Sequence, residues 1–264
     1  MVAIIIKMNL ISDILLQQYI ENFPLGLEEK FNALHDAEIS NDTFSFYTSV
    51  SVMASSKIEG EAMEIDSYVK HKMLNIEYLN DLVEKPNDLY NAYIFAQKNK
   101  LSLPNFLEVH EMISLHLLSE GKRGVYRNCN MVVMEHKTFK IQYEAALSHE
   151  VPKTMMKFWD EVNDLLQKEL DFVEIFYYAS MIHLVIVDIH PFEDGNGRSG
   201  RLLEKWFLAE KLGEKSWFVQ SELNYYKNIN NYYHNLNRLG QFYESLNYSK
   251  ALAFLEMLPQ SLLL

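Results

Sequence analysis

Cysteine is nearly absent from this 264-residue chain, and basic residues are outnumbered by acidic ones. Cys129 is the single cysteine, which excludes an internal disulfide and is typical of a reducing compartment. The 24 Lys and Arg against 36 Asp and Glu give a formal net charge of -12, which disfavours nonspecific binding to nucleic acid. The sequence also has no internal repeat and no low-complexity segment. What remains is a chain with 48% hydrophobic residues, enough to bury a sizeable core.

Two apolar stretches lack the properties of export or membrane segments. Residues 1–16 are interrupted by Lys7 and Asp13, and no small-residue cleavage site follows them. The stretch from Phe172 to Ile189 is long enough to span a bilayer, but it contains residues that are costly in hydrocarbon. These residues are Glu174, His183 and Asp188. We therefore predict a buried helix of a soluble protein, no membrane partner and a cytoplasmic location.

The densest group of chemically active residues is the run His-Pro-Phe-Glu-Asp-Gly-Asn-Gly-Arg-Ser-Gly-Arg at 190–201. The apolar run before it contains no Gly or Pro and predicts a buried helix over 172–189. Pro191 ends that helix because proline lacks an amide donor and crowds the preceding turn. A second helical pattern begins near Arg198 and stops near Gly213. His190 is therefore presented at a helix end, beside a glycine-containing loop.

Each polar residue of the run suits one part of a nucleotide-phosphate site. Gly195 to Gly197 would lie at a helix N-terminus, where free amides and the helix dipole favour phosphate. Arg198 and Arg201 are three residues apart and so project from one face of the first turn. Asp194 is a hard oxygen ligand suited to Mg²⁺ bridged to substrate phosphates. His190 would be the general base, because its intrinsic pKa lies near physiological pH.

Simpler explanations account for less of this segment. A Ca²⁺ loop would need the alternating acids of an EF-hand, which are missing. A plain turn between helices would use Asn and Gly but leave His190, Asp194 and both arginines unexplained. His183 could pair with His190 on a metal, but no His-Glu-x-x-His pattern surrounds it. A hydrogen-bonded core histidine is therefore the better prediction for His183.

The stretch from 190 to 201 resembles the signature of the Fic family, the AMP-transferring domains. Gly124 to Arg127 followed by Met131 to Val133 is similar to the family's lead into its β-hairpin flap, and Asn231 to Leu236 is similar to a later helix near the nucleotide. The resemblance covers roughly residues 40 to 258. It implies a phosphate site at Asp194, Gly195, Asn196, Gly197, Arg198, Ser199, Gly200 and Arg201. It also implies a flap with Val133, Met134, Glu135 and His136, and Tyr232 and Tyr233 on the adenosine side.

A shorter upstream motif, Ser-Ser-Lys-Ile-Glu-Gly at 55–60, resembles the inhibitory helix of Fic proteins. Ser55 and Glu59 are four apart and lie on one helical face, and Gly60 is a natural helix stop. In that family the glutamate pairs with the second arginine of the signature, here Arg201, and occupies the place that the γ-phosphate needs. The resemblance therefore implies an N-terminal inhibitory helix on the same chain, over about 43–60.

The secondary-structure pattern predicts a mainly α protein with a helical core, a short β-hairpin flap and an N-terminal helical extension. We predict an N-terminal region over 1–85 and a core domain over 86–264. The predicted helices are 90–98, 104–118, 152–170, 172–189, 198–212 and 224–237. Two strands are predicted over 131–134 and 138–143, with Glu135, His136 and Lys137 as the turn between them. Pro86-Asn87, 102–104 and 121–124 read as connectors.

The resemblance implies an autoinhibited adenylyltransferase that moves AMP from ATP, with Mg²⁺, to a Ser, Thr or Tyr hydroxyl of a target protein. The target would present its hydroxyl in an extended segment added to the flap as a strand. Nucleic acid and membrane are not expected partners, and a homo-oligomer is possible. Three alternatives stay open: a hydrolase that removes AMP through the same site, a donor other than ATP such as UTP or nucleotide-linked choline, and a noncatalytic nucleotide-sensing protein.

Overall fold

The computed structural model describes residues 9–34, 41–134 and 141–264, so the predicted turn at Glu135, His136 and Lys137 lies outside it. The described chain is mainly helical, as predicted. Its helices are α1 (Leu16–Asn22), α2 (Leu27–Ala33), α3 (Asn41–Ile58), α4 (Ile65–Leu74), α5 (Asn80–Lys98), α6 (Leu103–Ile113), α7 (Val151–Gln167), α8 (Phe172–Ile189), α9 (Asn196–Leu212), α10 (Ser221–Lys227), α11 (Ile229–Asn237), α12 (Leu252–Leu255) and α13 (Met257–Gln260). Strands β1 (Val132–Met134) and β2 (Ile141–Glu144) pair antiparallel.

Helix α8 runs through the centre of the protein and is buried on nearly every side. It begins with a capping box, in which Asp171 accepts from the Glu174 amide and the Glu174 side chain accepts from the Asp171 amide. Within the described ranges α8 is the one helix long and apolar enough to cross a membrane, with a mean hydropathy of 1.7. Because 78% of that window is buried inside the protein, its apolar character is that of a core helix.

Helix α9 crosses α8 closely at Gly200. A Cβ atom at Gly200 would lie 2.9 Å from Val187 Cγ2 and 3.2 Å from a ring carbon of His183. Only glycine therefore fits there without displacing a neighbour. This close packing carries the first turn of α9 to the end of α8, next to His190.

The N-terminal helices belong to the same core as the rest of the chain. One hydrophobic cluster extends from Ile11 in the first described segment to Leu262 near the C-terminus. Helix α3 contributes Val52, Met53 and Ala54, all fully buried. The predicted boundary between residues 85 and 86 falls inside α5.

Some predicted element boundaries are wrong. Pro86 lies inside α5, not in a connector. Its missing amide costs on the order of 3 kcal/mol, and burying Val83, Leu89 and Tyr93 on the same helix returns about 1.5–3 kcal/mol per side chain. The predicted helix over 224–237 is divided at Asn228 into α10 and α11, and there the Asn228 side chain donates to the Asn224 carbonyl that also accepts from the Asn228 amide.

The hairpin is held against the end of α8 by two side chains. Arg127 is 3% exposed, and its guanidinium donates to the carbonyls of His190, Cys129 and Ala146. The Tyr143 hydroxyl, on β2, donates to the Asp188 carbonyl at 2.7 Å. Both contacts fix β1 and β2 beside the C-terminal turn of α8, so the flap and the signature run face one cavity.

Candidate active site

His190 caps the C-terminus of α8 in the left-handed conformation, with φ 53°. Its Nδ1 lies 3.2 Å from the Val187 carbonyl oxygen, which can only accept, so Nδ1 carries the hydrogen and Nε2 keeps a lone pair. Burial lowers the pKa of His190, although the Val187 carbonyl opposes part of that effect. The ring is therefore neutral at pH 7, as a proton acceptor requires.

The loop after His190 is closed by Asn196. Its side-chain oxygen accepts from the Phe192 amide at 2.9 Å, and its side-chain nitrogen donates to the Phe192 carbonyl at 2.8 Å. The Asn196 side chain, which we predicted to hold phosphate, is thus committed to the loop, and only its backbone amide faces outward from the helix end. Gly195, at φ 81°, makes the turn that starts α9.

His110, on α6, packs against the loop that follows His190. The sequence did not predict this role. Its ring stacks on Phe192, with centroids 3.5 Å apart. Nδ1 accepts from the Gly124 amide at 2.9 Å, so Nε2 carries the hydrogen and donates to the Asp194 carbonyl at 3.0 Å. Burial lowers the pKa of His110 to about 4. One neutral histidine therefore joins the lead into the hairpin to the signature loop.

Arg201 is the buried cation of the site, with 1% exposure. Its Nη2 donates to Glu59 Oε1 at 2.6 Å, its Nε donates to Ser55 Oγ at 2.9 Å, and its Nη1 lies 3.4 Å from the Tyr232 hydroxyl oxygen. Burial disfavours the charged guanidinium, but the Glu59 carboxylate outweighs this and raises the pKa of Arg201. The structure thus brings together Ser55, Glu59 and Arg201, as the upstream motif predicted.

Glu59 also covers the N-terminus of α9. A Cβ atom on Gly197 would collide with Glu59 Oε1, so the carboxylate lies directly against the first turn. Burial raises the pKa of Glu59, but the nearby Arg201 and Arg198 outweigh it and the net pKa is lowered. An ionised carboxylate therefore occupies the position where amides and arginine would bind a phosphate oxygen.

A second acid, Glu61, lies on the other arginine, and the sequence interpretation missed it. Gly60 at φ 91° reverses the chain after α3, and the Glu61 amide donates back to the Ser56 carbonyl at 3.1 Å. Glu61 Oε1 then accepts from Arg198 Nη2 at 3.3 Å and from Lys85 Nζ at 3.2 Å. Arg198 is 4% exposed. The feature of the sequence that could have indicated this role is a second acid two residues after Glu59, on the other side of the glycine that ends α3.

The Tyr232 hydroxyl next to Arg201 belongs to a buried polar network. The Tyr232 hydroxyl lies 3.1 Å from His183 Nε2, and His183 Nδ1 lies 2.8 Å from Glu204 Oε2. The Tyr225 hydroxyl donates to the same carboxylate oxygen at 2.8 Å. Both ring nitrogens of His183 are thus hydrogen-bonded in the core, which agrees with the core-histidine interpretation and not with a metal pair.

The two acids of the signature have different surroundings. Glu193 forms an ion pair with Lys122 at 2.6 Å. Asp194 is exposed, and one of its oxygens accepts from the Gly195 amide at 2.6 Å, while no described residue forms a hydrogen bond with the other oxygen. The described residues contain no group of three His, Cys, Asp or Glu that could enclose a metal. Asp194 fits a Mg²⁺ ion that takes its remaining ligands from water and phosphate.

Ser199 and Gly200 are both buried. Ser199 is fully buried, and its hydroxyl has no hydrogen-bond partner among the described residues. Gly200 packs on α8 as described above. Gly200 is thus explained by helix packing, and the groups of α9 that could bind an anion are its N-terminal amides together with Arg198 and Arg201.

Three cavities meet around Glu59 and Val133, which line all of them. The inner cavity encloses about 150 Å³ and contains His190 and Arg201. A second lies over the signature loop and includes Asp194 and residues 195–197. The third opens outward between Met134 and Tyr233. Tyr232 and Tyr233 both line the inner cavity, and of the predicted flap residues Glu135 and His136 lie outside the described ranges.

This arrangement is that of a Fic domain: residues 100–208 match the Fic/DOC family, and the protein carries a Fic domain. Over 116 residues the chain is 28% identical to the protein adenylyltransferase Fic of Nematostella vectensis, and over 124 residues it is 32% identical to that of Drosophila willistoni. Those matches cover 43% and 46% of this chain but only 24% and 23% of the relatives.

Solved structures of similar fold are also Fic proteins. A Fic family protein from Desulfovibrio desulfuricans superposes with a TM-score of 0.72 at 17% identity, over 90% of this chain and 70% of that one. A Fic domain containing signaling protein from Bacteroides thetaiotaomicron gives 0.67 at 19% identity, over 90% and 92%. Fic-1 from C. elegans gives 0.64 at 16%, over 94% and 71%. The fold expected from the sequence, mainly helical with a small hairpin, is confirmed.

His110 should make the stability of the loop depend on pH. Because its folded pKa of about 4 lies below the unfolded value near 6.5, the unfolded chain binds more protons between these limits. Stability is therefore full above pH 6.5 and falls as pH decreases toward 4, by on the order of 3 kcal/mol. We expect His110→Gln to be less stable at pH 7 but to flatten this slope, measured by urea unfolding at several pH values.

A matched control is His149→Gln, an exposed position on the segment before α7. An unchanged slope in His110→Gln would contradict the assignment.

Proposed function

We propose that the protein is an adenylyltransferase that moves AMP from ATP to a Ser, Thr or Tyr hydroxyl of another protein and is held inactive by α3. The curated relatives that it matches are protein adenylyltransferases, which supports this class of reaction. The observation that carries the proposal is that His190, Arg201 and Gly197 line one cavity and that Glu59 lies in it.

His190 would act as the general base. Its neutral ring has Nε2 free to take the proton of a target hydroxyl, while Nδ1–H stays on the Val187 carbonyl. The hydroxyl oxygen forms a bond to the α-phosphorus, the bond to the β-phosphate bridging oxygen breaks, and pyrophosphate leaves. A positioned base of this kind contributes about 10²–10⁴-fold in rate.

The first turn of α9 would hold the phosphates. The amides of 196–198 have no partner within the helix, and Arg198 and Arg201 lie on the same turn. Mg²⁺ bound with ATP would be held by Asp194 and would neutralise phosphate charge. Because the net charge of the chain is -12, attraction of the nucleotide depends on this local cationic site.

The proposed inhibition has an electrostatic cause and a steric cause. The Glu59 carboxylate neutralises Arg201 and lies against Gly197, so a phosphate would meet both repulsion and steric overlap there. Helix α3 holds Glu59 in place because Val52, Met53 and Ala54 are buried in the core. A movement of the Glu59 side chain, which is 28% exposed, would disturb the fold far less than departure of the whole helix.

The target would bind along β1. Among the described residues β1 pairs with β2 alone, and Val132 and Met134 are 42% and 48% exposed. An extended peptide could add to its free edge, which supplies affinity through backbone hydrogen bonds and little sequence selectivity. Such docking would bring a target side chain to the cavity that Val132, Met134 and His190 line together.

Removal of AMP by water is the second candidate. The Glu59 carboxylate lines the same two cavities as His190, so it could orient a water for attack. Release of AMP from a modified protein that is lost in Glu59→Gly would support this activity.

The proposal is tested by Glu59→Gly, which should raise transfer at least about tenfold because a buried charge pair of this kind is worth on the order of a few kcal/mol. The measurement is labelling of whole-lysate proteins by purified protein and radiolabelled ATP. Glu61→Gln should change labelling by no more than about threefold, since Lys85 shares the charge of Glu61. Glu64→Gly, at an exposed position, is the matched control. A wild-type protein as active as Glu59→Gly would contradict autoinhibition.

His190→Ala, made in the Glu59→Gly background, should abolish transfer and leave ATP binding nearly unchanged, because the phosphate site lies on residues 195–201. With His190 present, the rate should rise with pH through a midpoint below 6.5 and then level off, since burial lowers the pKa of this base. Labelling rates between pH 5 and 8 measure the profile, and the exposed His149→Ala is the control. Retained labelling in His190→Ala would show that another group is the base.

Asp194→Asn should lower activity and its dependence on Mg²⁺ together, because the open carboxylate oxygen is lost. Glu193→Gln should be nearly neutral, since Glu193 is turned to Lys122. Mg²⁺ titrations of the two variants in the Glu59→Gly background compare them directly. Equal defects would mean that the metal assignment is wrong.

A further inference from the structure

Asp188 is a buried acid for which the proposed chemistry has no use. It lies on the last turn of α8, two residues before His190, and is 5% exposed. Among the described residues it forms no ion pair, and burial raises its pKa to about 8, with the Tyr248 hydroxyl opposing part of that rise. Burying a carboxyl group without a full set of partners costs free energy of folding, and a ligand that binds to it would offset that cost.

The carboxyl group of Asp188 is held in one orientation. The Tyr248 hydroxyl donates to Oδ2 at 3.0 Å, and the Asp188 main-chain carbonyl is fixed by the Tyr143 hydroxyl at 2.7 Å. No described residue provides a hydrogen-bond partner for the other carboxyl oxygen. Because Asp188 lines the inner cavity, this oxygen is an oriented polar group available to a bound molecule.

The residues that line the inner cavity are of two chemical kinds. Arg201 and Gly197, at the N-terminus of α9, make their part of the wall favourable for anions. Asp188 lines the same cavity, together with the apolar side chains of Val187 and Leu236. A sugar or a ring with N–H or O–H donors is suited to the unpaired oxygen of Asp188.

We propose that Asp188 is a specificity-determining residue that accepts a hydrogen bond from the nucleoside moiety of the bound nucleotide. The donor is either a ribose hydroxyl or an exocyclic amine of the base, both of which are neutral groups that a carboxyl oxygen recognises in the same way. The inference rests on the proposed function, because it assumes that the phosphates lie on α9. It sets the direction of the nucleotide: phosphates at Arg201, nucleoside at Asp188.

The test measures equilibrium dissociation constants, not transfer, for the Glu59→Gly protein. ATP is compared with three analogues that keep the triphosphate and each lack one donor: 2′-deoxy-ATP, 3′-deoxy-ATP and purine riboside triphosphate, which lacks the amine. We expect one analogue to bind about tenfold or more weaker than ATP, because it would leave the buried oxygen of Asp188 without its hydrogen bond. The analogue affected identifies the donor as a sugar hydroxyl or a base amine.

Asp188→Leu should abolish this discrimination while retaining a cooperative thermal transition, since it replaces a buried acid by an apolar side chain. Should that variant be unstable, Asp188→Asn, a neutral and weaker acceptor, should reduce the ratio at least threefold. Asp160→Asn, at an exposed position on α7, is the control and should keep the full ratio.

The possible outcomes distinguish the role of Asp188 from the proposed function. Discrimination that survives in Asp188→Leu, or its absence in the Glu59→Gly protein, overturns the role of Asp188 while nucleotide binding itself stands. Failure of the Glu59→Gly protein to bind any of the four triphosphates overturns the proposed function, and the role of Asp188 with it.

Discussion

Arg201 is a cation buried to 1% exposure, and a buried charge requires partners. Those partners come from two parts of the chain: Ser55 on α3 with Glu59 directly after the end of that helix, and the Tyr232 hydroxyl on α11. Because each partner is itself anchored in the core, the requirement of one guanidinium ties the N-terminal helices to the signature turn. The contact of α3 with α9 thus supplies the polar partners that the buried Arg201 guanidinium requires.

The same geometry places a carboxylate where an anion would bind. A helix N-terminus and an arginine attract any anion, whether phosphate or carboxylate. In this chain the Glu59 carboxylate is covalently attached and lies at that site, so under the proposed inhibition it would compete at high effective concentration. Glu61 differs because Lys85 shares it, and the charge near Arg198 stays positive. Glu59 and Glu61 therefore leave different net charges beside Arg201 and Arg198.

Short-range features of the site could be predicted from sequence, and long-range ones could not. The helix over 172–189, the loop glycines and the four-residue spacing of Ser55 and Glu59 follow from local rules of helix ends and helix faces. His110 could not be found, because it lies 84 residues from Asp194 and its partners are backbone atoms. Pro86 inside α5 and the break at Asn228 were missed because burial and a side-chain hydrogen bond outweighed local propensity.

The sequence by itself determined which chemical groups stand together in the run from His190 to Arg201, since neighbours on a turn stay neighbours in any fold that keeps the turn. Only the tertiary structure decided which groups are free. It committed the Asn196 side chain to Phe192, turned Glu193 to Lys122 and left Asp194 open. It also placed Asp188 in the cavity beside His190. The reason is that hydrogen-bond partners and burial depend on which surfaces pack together, and the packing of α3, α8 and α9 is a property of the whole chain.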